Sequence, residues 1–154
     1  MEALEVRLVE IIGSKDDEVA LKWYREVRES NYVPTMQNVS EDEGLRIART
    51  VYENLSKWLL DSKKVDIKET YGSFGQSLFH RGFRLEEVVQ IIVLLKRYLW
   101  LHLLEMGLMT TDLNVYQTLE LNNKVILYYD RSIYFAIIGY REGQRTSGER
   151  AVSA

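Results

Sequence analysis

His80 and His102 are the only histidines in the chain, and chemistry is sought first around them. His102 and Glu105 stand three residues apart, which puts an imidazole and a carboxylate on one helix face as two candidate metal ligands. No second pair completes a site, because neither H-E-x-x-H nor a paired Glu-x-x-His pattern occurs. His102 therefore reads as a core-edge histidine with a satisfied ring nitrogen. The competing reading is a haem ligand, since His102 rides on an apolar helix and helical pockets hold haem. His80 precedes Arg81 and Gly82 and reads as a cation placed at a helix C-terminus. Glu86-Glu87 and Glu41-Asp42-Glu43 are runs of carboxylates, and both fall where a helix begins, so stabilisation of a helix N-terminus accounts for them. There is no G-x-G-x-x-G, no P-loop and no G-x-S-x-G. No catalytic residue and no metal set is assigned, and the expectation is a protein that is not an enzyme.

The totals narrow the class further. A chain of 154 residues is long enough to bury a core as one domain, and 46 % hydrophobic with 28 % charged residues is an ordinary soluble composition. A net charge of -3 gives no general attraction to nucleic acid or to an anionic membrane. Without cysteine there is no disulfide framework and no thiolate chemistry, which fits a cytoplasmic location.

The elements follow from spacing and punctuation. One proline and nine glycines point to long helices and few turns. The organising stretch is Leu85 to Met106, apolar nearly all round, which predicts a central helix with neighbours on several sides. Its length approaches a membrane span, but Lys96, Arg97 and His102 interrupt it, so no membrane insertion is expected. A first helix from Glu2 to Ile12 carries Leu4, Leu8, Ile11 and Ile12 on one face. Ser14 and Asp17 look like the capping start of a second, which runs to Glu29, and Ser30 to Val39 reads as a loop. Ser40 with Glu43 makes a capping box for a third helix to Asp61. Asp66 and Glu69 start a short fourth helix, whose Gly72 and Gly75 invite close approach by a neighbour, and Gly82 ends it.

Gly107 closes the central helix, and Thr110, Thr111 or Asp112 caps a last one running at least from Leu113 to Ile138, roughly 39 Å at 1.5 Å per residue. Leu119, Ile126, Ile133 and Tyr140 recur along it every seven residues, with Tyr129 and Ala136 alongside, like an imperfect coiled-coil seam. Glu120, Asn123 and Asp130 form a polar stripe beside them. Five tyrosines (116, 128, 129, 134 and 140) ride on the same helix and serve either a subunit interface or packing within the chain. The sequence thus predicts an all-α helical bundle of about six helices, with residues 1–140 as the domain and 141–154 as a polar tail or truncated linker.

One pattern resembles a known family. It is Tyr71-x-x-Phe74-Gly75-x-x-Leu78-x-x-x-Gly82-x-x-Leu85-Glu86-Glu87-Val88, then Leu95-Lys96-Arg97-x-x-Trp100, Leu119 to Ile126 (LELNNKVI) and Tyr129-Asp130-Arg131-x-Ile133-Tyr134. It is similar to the N-terminal sensor domain of RsbR-type stressosome proteins, also found at the N-terminus of bacterial histidine kinases. The resemblance covers about Tyr71 to Tyr140, and Arg84 departs from it where a small capping residue is more usual. It implies a globin-like fold without haem, usually dimeric, coupled through its last helix to an output domain.

The combined expectation is a cytoplasmic, homodimeric, non-enzymatic bacterial sensor that signals to a covalent or non-covalent output module. The expected pocket wall is Phe74, Leu78, Ile92, Leu95, Tyr98, Leu99 and His102. The expected dimer and transmission surface is Leu119, Asn123, Ile126, Tyr129, Asp130, Ile133 and Tyr140. No cofactor is expected; the alternative is a globin-like protein binding haem or a small molecule, with His102 as the ligand.

Overall fold

A computed structural model of the protein describes residues 4–13, 17–107 and 115–153, with side chains up to residue 149. It contains six α-helices among these residues: α1 (Leu4–Ile12), α2 (Glu18–Glu29), α3 (Glu41–Leu60), α4 (Ile67–His80), α5 (Leu85–Glu105) and α6 (Val115–Ser153). Short 3-10 turns occupy Pro34–Asn38 and Ser62–Lys64, and no strand occurs among the described residues. The protein is an all-α bundle.

Local chemistry sets most boundaries where the sequence puts them. Ser40 Oγ accepts from the Glu43 amide at 3.3 Å, and Asp66 Oδ1 accepts from the Glu69 amide at 3.1 Å, so both expected caps form. Gly82 adopts φ +90, and the Phe83 amide then donates back to the Leu78 carbonyl at 3.1 Å, which stops α4. The start of α2 differs from expectation. Ser14 lies outside the described residues, and Asp17 at the cap position has φ 47 and no capping hydrogen bond. Its carboxylate pairs with Arg49 of α3 instead, a cation that outcompetes the amides of its own helix. Within the expected loop after α2, Pro34 opens a 3-10 turn that buries Met36 between the buried Val33 and Val39.

The 3-10 turn is strapped to α5 by a buried carboxylate. Glu87 accepts from the Thr35 amide at 2.9 Å and from Thr35 Oγ1 at 2.8 Å. It also reaches back to the Arg84 amide at 3.1 Å, which supplies the helix start that Arg84 itself does not. Three donors depend on one side chain with 1 % exposure. Glu87→Ala is therefore expected to lower the unfolding free energy by about 3 kcal/mol, read from urea denaturation. A loss below about 1 kcal/mol would mean the strap contributes little.

Helix α5 touches each of the other five helices, with Val88, Ile91, Ile92, Leu95, Leu99 and Leu103 buried among them. Its other side stays open, with Leu101 and Leu104 exposed near Arg97. No described helix is long and apolar enough to cross a membrane.

The tightest packing joins α4 to α6. A Cβ on Gly75 would overlap the Ala136 backbone, and one on Gly139 would overlap the Gly72 backbone. The expected close approach at Gly72 and Gly75 is present, and Gly139 and Ala136 are the small partners that complete it. A Cβ on Gly72 itself would meet open space.

Helix α6 runs 39 residues, roughly 58 Å, against a diameter of roughly 38 Å for a compact chain of this size. It continues through the polar stretch that follows Tyr140, where Arg145 pairs with Glu142 and Glu149 on the same helix. The expected caps Thr110, Thr111 and Asp112, and the expected first residue Leu113, lie outside the described residues.

Candidate transmission helix

Because α6 is longer than the bundle that holds it, its two faces see different surroundings. The inner face buries Leu121, Val125, Tyr128, Tyr129, Ser132, Ala136 and Tyr140. Its tyrosines form a chain of hydrogen bonds to three other elements. Tyr128 donates to the Val51 carbonyl of α3 at 3.1 Å, so its bond with the Tyr71 hydroxyl of α4 must have Tyr71 as donor. Ser132 Oγ donates to the Tyr128 carbonyl at 2.7 Å, and Tyr140 donates to the Phe83 carbonyl in the α4–α5 connection at 2.7 Å. Tyr52 of α3 donates to the Leu95 carbonyl of α5 at 2.7 Å.

Ring contacts reinforce the chain. Tyr71 meets Tyr128 edge-on at 5.7 Å, Tyr128 meets Tyr129 at 5.5 Å, and Trp58 packs on Tyr128 at 5.5 Å. Phe79 meets Tyr140 edge-on at 5.2 Å. Burial pushes the Tyr71 hydroxyl up to about 12, and it drives those of Tyr52, Tyr128 and Tyr129 well above the usual phenol range. The Tyr129 hydroxyl has no hydrogen-bond partner among the described residues, which strengthens its preference for the neutral form.

The outer face carries five of the seven residues expected to form a surface. Leu119, Asn123 and Asp130 are exposed and Ile126 and Ile133 are half-buried. With Ile137, also half-buried, they follow alternating spacings of four and three along the helix. That is the spacing of a coiled-coil seam, with Asn123 and Asp130 as its polar positions. Tyr129 and Tyr140 are corrections to the expected surface: both are buried within the chain's own bundle, 0 % and 5 % exposed. They sit on the inner side of the same helix, where a seven-residue repeat alone cannot distinguish one edge of the stripe from the other. Sequence reasoning missed exposed Leu127 and Ile138 beside the seam and left Tyr134, also exposed, open between interface and internal packing, although Leu127 and Tyr134 repeat at seven residues. The tyrosines divide between the two sides of the helix: Tyr116 and Tyr134 are exposed, while Tyr128, Tyr129 and Tyr140 are buried within the chain's own bundle.

The expected pocket wall does not come together around one cavity. Phe74 and Leu78 line a cleft between α3 and α4, while Tyr98 lines a separate hollow with Leu94 and Arg97. Ile92, Leu95, Leu99 and His102 are packed in the interior. His102 is 3 % exposed, and its Nδ1 has no hydrogen-bond partner among the described residues, where a satisfied nitrogen was expected. Glu105, its expected companion, turns instead to Lys22 of α2 at 2.8 Å. Lys22 holds the Glu105 carboxyl below its usual range. Among the described residues no group of three or more acidic or histidine side chains is placed to hold a metal ion.

The chain matches no known protein-family description, no curated protein and no solved structure.

Proposed function

We propose that the protein is a non-enzymatic signalling domain of bacterial type that pairs with a second copy through the outer face of α6 and passes a change in its packing along that helix. The observation that carries this reading is the two-sidedness of α6. One side is gripped by glycine contacts and tyrosine hydrogen bonds, and the other carries a stripe of spacing four and three whose Leu119, Asn123 and Asp130 are exposed and whose Ile126, Ile133 and Ile137 are only half covered by the described residues. A helix held in this way moves as a rigid body, so a shift at Gly75 or Tyr71 is carried to Ser153. The resemblance to stressosome and histidine-kinase sensor domains agrees with this reading and adds a cytoplasmic location and an output module beyond the helix. A net charge of -3 favours a protein partner over nucleic acid.

Two substitutions on the seam have opposite expected signs. Ile133→Asp puts a carboxylate among apolar seam residues and should raise the dimer dissociation constant by roughly 30-fold or more. Asp130→Ala removes a charge that costs stability at a seam and should tighten the dimer. Both are read by analytical ultracentrifugation of the full chain. An unchanged constant in both variants would remove the surface assignment.

A further inference from the structure

The cleft between α3 and α4 has a volume of about 360 Å³, within the range that holds small molecules. Its floor is apolar, made of Ile47, Phe74 and Leu78. Above the floor stand the hydroxyls of Thr70, Ser73 and Ser77, all from one face of α4, and none makes a hydrogen bond among the described residues. Two guanidinium groups close the mouth. Arg81 is paired with Glu43, so those two charges cancel. Arg46 makes no ion pair among the described residues, which leaves one uncompensated positive charge beside three idle donors.

We propose that this cleft binds a small free amphipathic anion, with its carboxylate or phosphate head on Arg46 and the α4 hydroxyls and its apolar body on Phe74 and Leu78. A cation would meet Arg46 without a free carboxylate to answer it, and a neutral apolar molecule would leave Arg46 and the hydroxyls unused. The comparable cleft between α1, α2 and α3 has its guanidinium, Arg49, already committed to Asp17. The site also connects to α6. The Phe74 ring meets Tyr71 at 5.7 Å, and Tyr71 is hydrogen-bonded to Tyr128. An occupant pressing on Phe74 therefore acts on the tyrosine chain that holds the transmission helix. That coupling rests on the proposed sensor role; binding itself does not.

Isothermal titration of the full chain with octanoate, 1-octanol and octylamine tests the assignment. Octanoate is expected to bind saturably, well ahead of the neutral and cationic probes of equal length. Arg46→Ala is expected to weaken octanoate by about 10-fold, with Arg46→Lys retaining part of the affinity. Arg46 is exposed and unpaired, so an unchanged melting temperature shows that the loss is not a folding defect. Vesicles of phosphatidylglycerol should remain unbound. Octanoate that fails to bind, equal binding of all three probes, wild-type affinity in Arg46→Ala, or binding only to vesicles would each overturn the proposal. Octanoate binding that leaves the backbone amide resonances of α6 unmoved supports the cleft and counts against the sensor reading.

Discussion

Gly75→Ala should destabilise the protein by about 3 kcal/mol, while Gly72→Ala, three residues earlier on the same helix, should be neutral or stabilising by up to about 1 kcal/mol. The chemical change is identical and both positions gain helix propensity. What differs is the neighbour. A methyl on Gly75 would overlap the Ala136 backbone, which cannot move aside as a flexible side chain could, so α4 and α6 must separate along their whole contact. A methyl on Gly72 points into open space. Gly139→Ala should behave like Gly75→Ala, because its methyl would overlap the Gly72 backbone. Thermal unfolding should place the Gly75 and Gly139 variants about 6–12 °C below the parent. Equal melting temperatures for all three variants would show that the helices are not in backbone contact.

A second large effect is expected at high pH. Tyr52, Tyr71, Tyr128 and Tyr129 hold their protons more tightly folded than unfolded, because burial penalises the phenolate. Below the unfolded value near 10 both states keep the proton, and this contribution is fully present. Above it the unfolded chain releases protons that the folded chain retains, so stability falls as pH rises. Each tyrosine contributes a slope of about 1.4 kcal/mol per pH unit, and four together give roughly 5 kcal/mol per unit between pH 10 and 12. The loss across that window, roughly 10 kcal/mol, is of the same size as a whole domain's stability of about 5–15 kcal/mol. Urea denaturation at successive pH values should be flat from 7 to 9 and then fall steeply, with tyrosinate absorbance rising together with unfolding. Tyr71→Phe should lessen the slope by about a quarter. Stability that stays level through pH 11 would mean these hydroxyls are wet.

Much of the fold was legible in the sequence because it rests on local chemistry. Ser40 with Glu43 and Asp66 with Glu69 cap helices through a side chain and an amide three residues apart, a relation any sequence displays. Gly75 signalled a close neighbour, though only the structure could identify that neighbour as Ala136, because the partner is 61 residues away and carries no local mark. Asp17 defeated the capping expectation for the same reason: its partner, Arg49, comes from another helix.

The site was half legible. Spacing identifies a stripe on α6 but not which edge of it faces inward, so by spacing alone the buried Tyr129 and Tyr140 fall with residues on the exposed side. The expected pocket wall spans α4 and α5, yet Ile92, Leu95, Leu99 and His102 of α5 are used up in packing, Tyr98 faces a separate hollow, and of that wall Phe74 and Leu78 alone line the cleft between α3 and α4. The charge that gives that cleft its character, Arg46, comes from α3, where periodicity reads it as one more solvent-facing residue.

The proposed signalling role requires that the outer face of α6 join two copies of the chain. Native mass spectrometry of the full chain, purified without added ligand and compared with Ile133→Asp, tests it most directly. The parent should appear at twice the chain mass and the variant at the single chain mass, with circular dichroism showing equal helix content in both. A parent that is monomeric, or a variant that stays dimeric, would contradict the claim that α6 joins two copies along this seam.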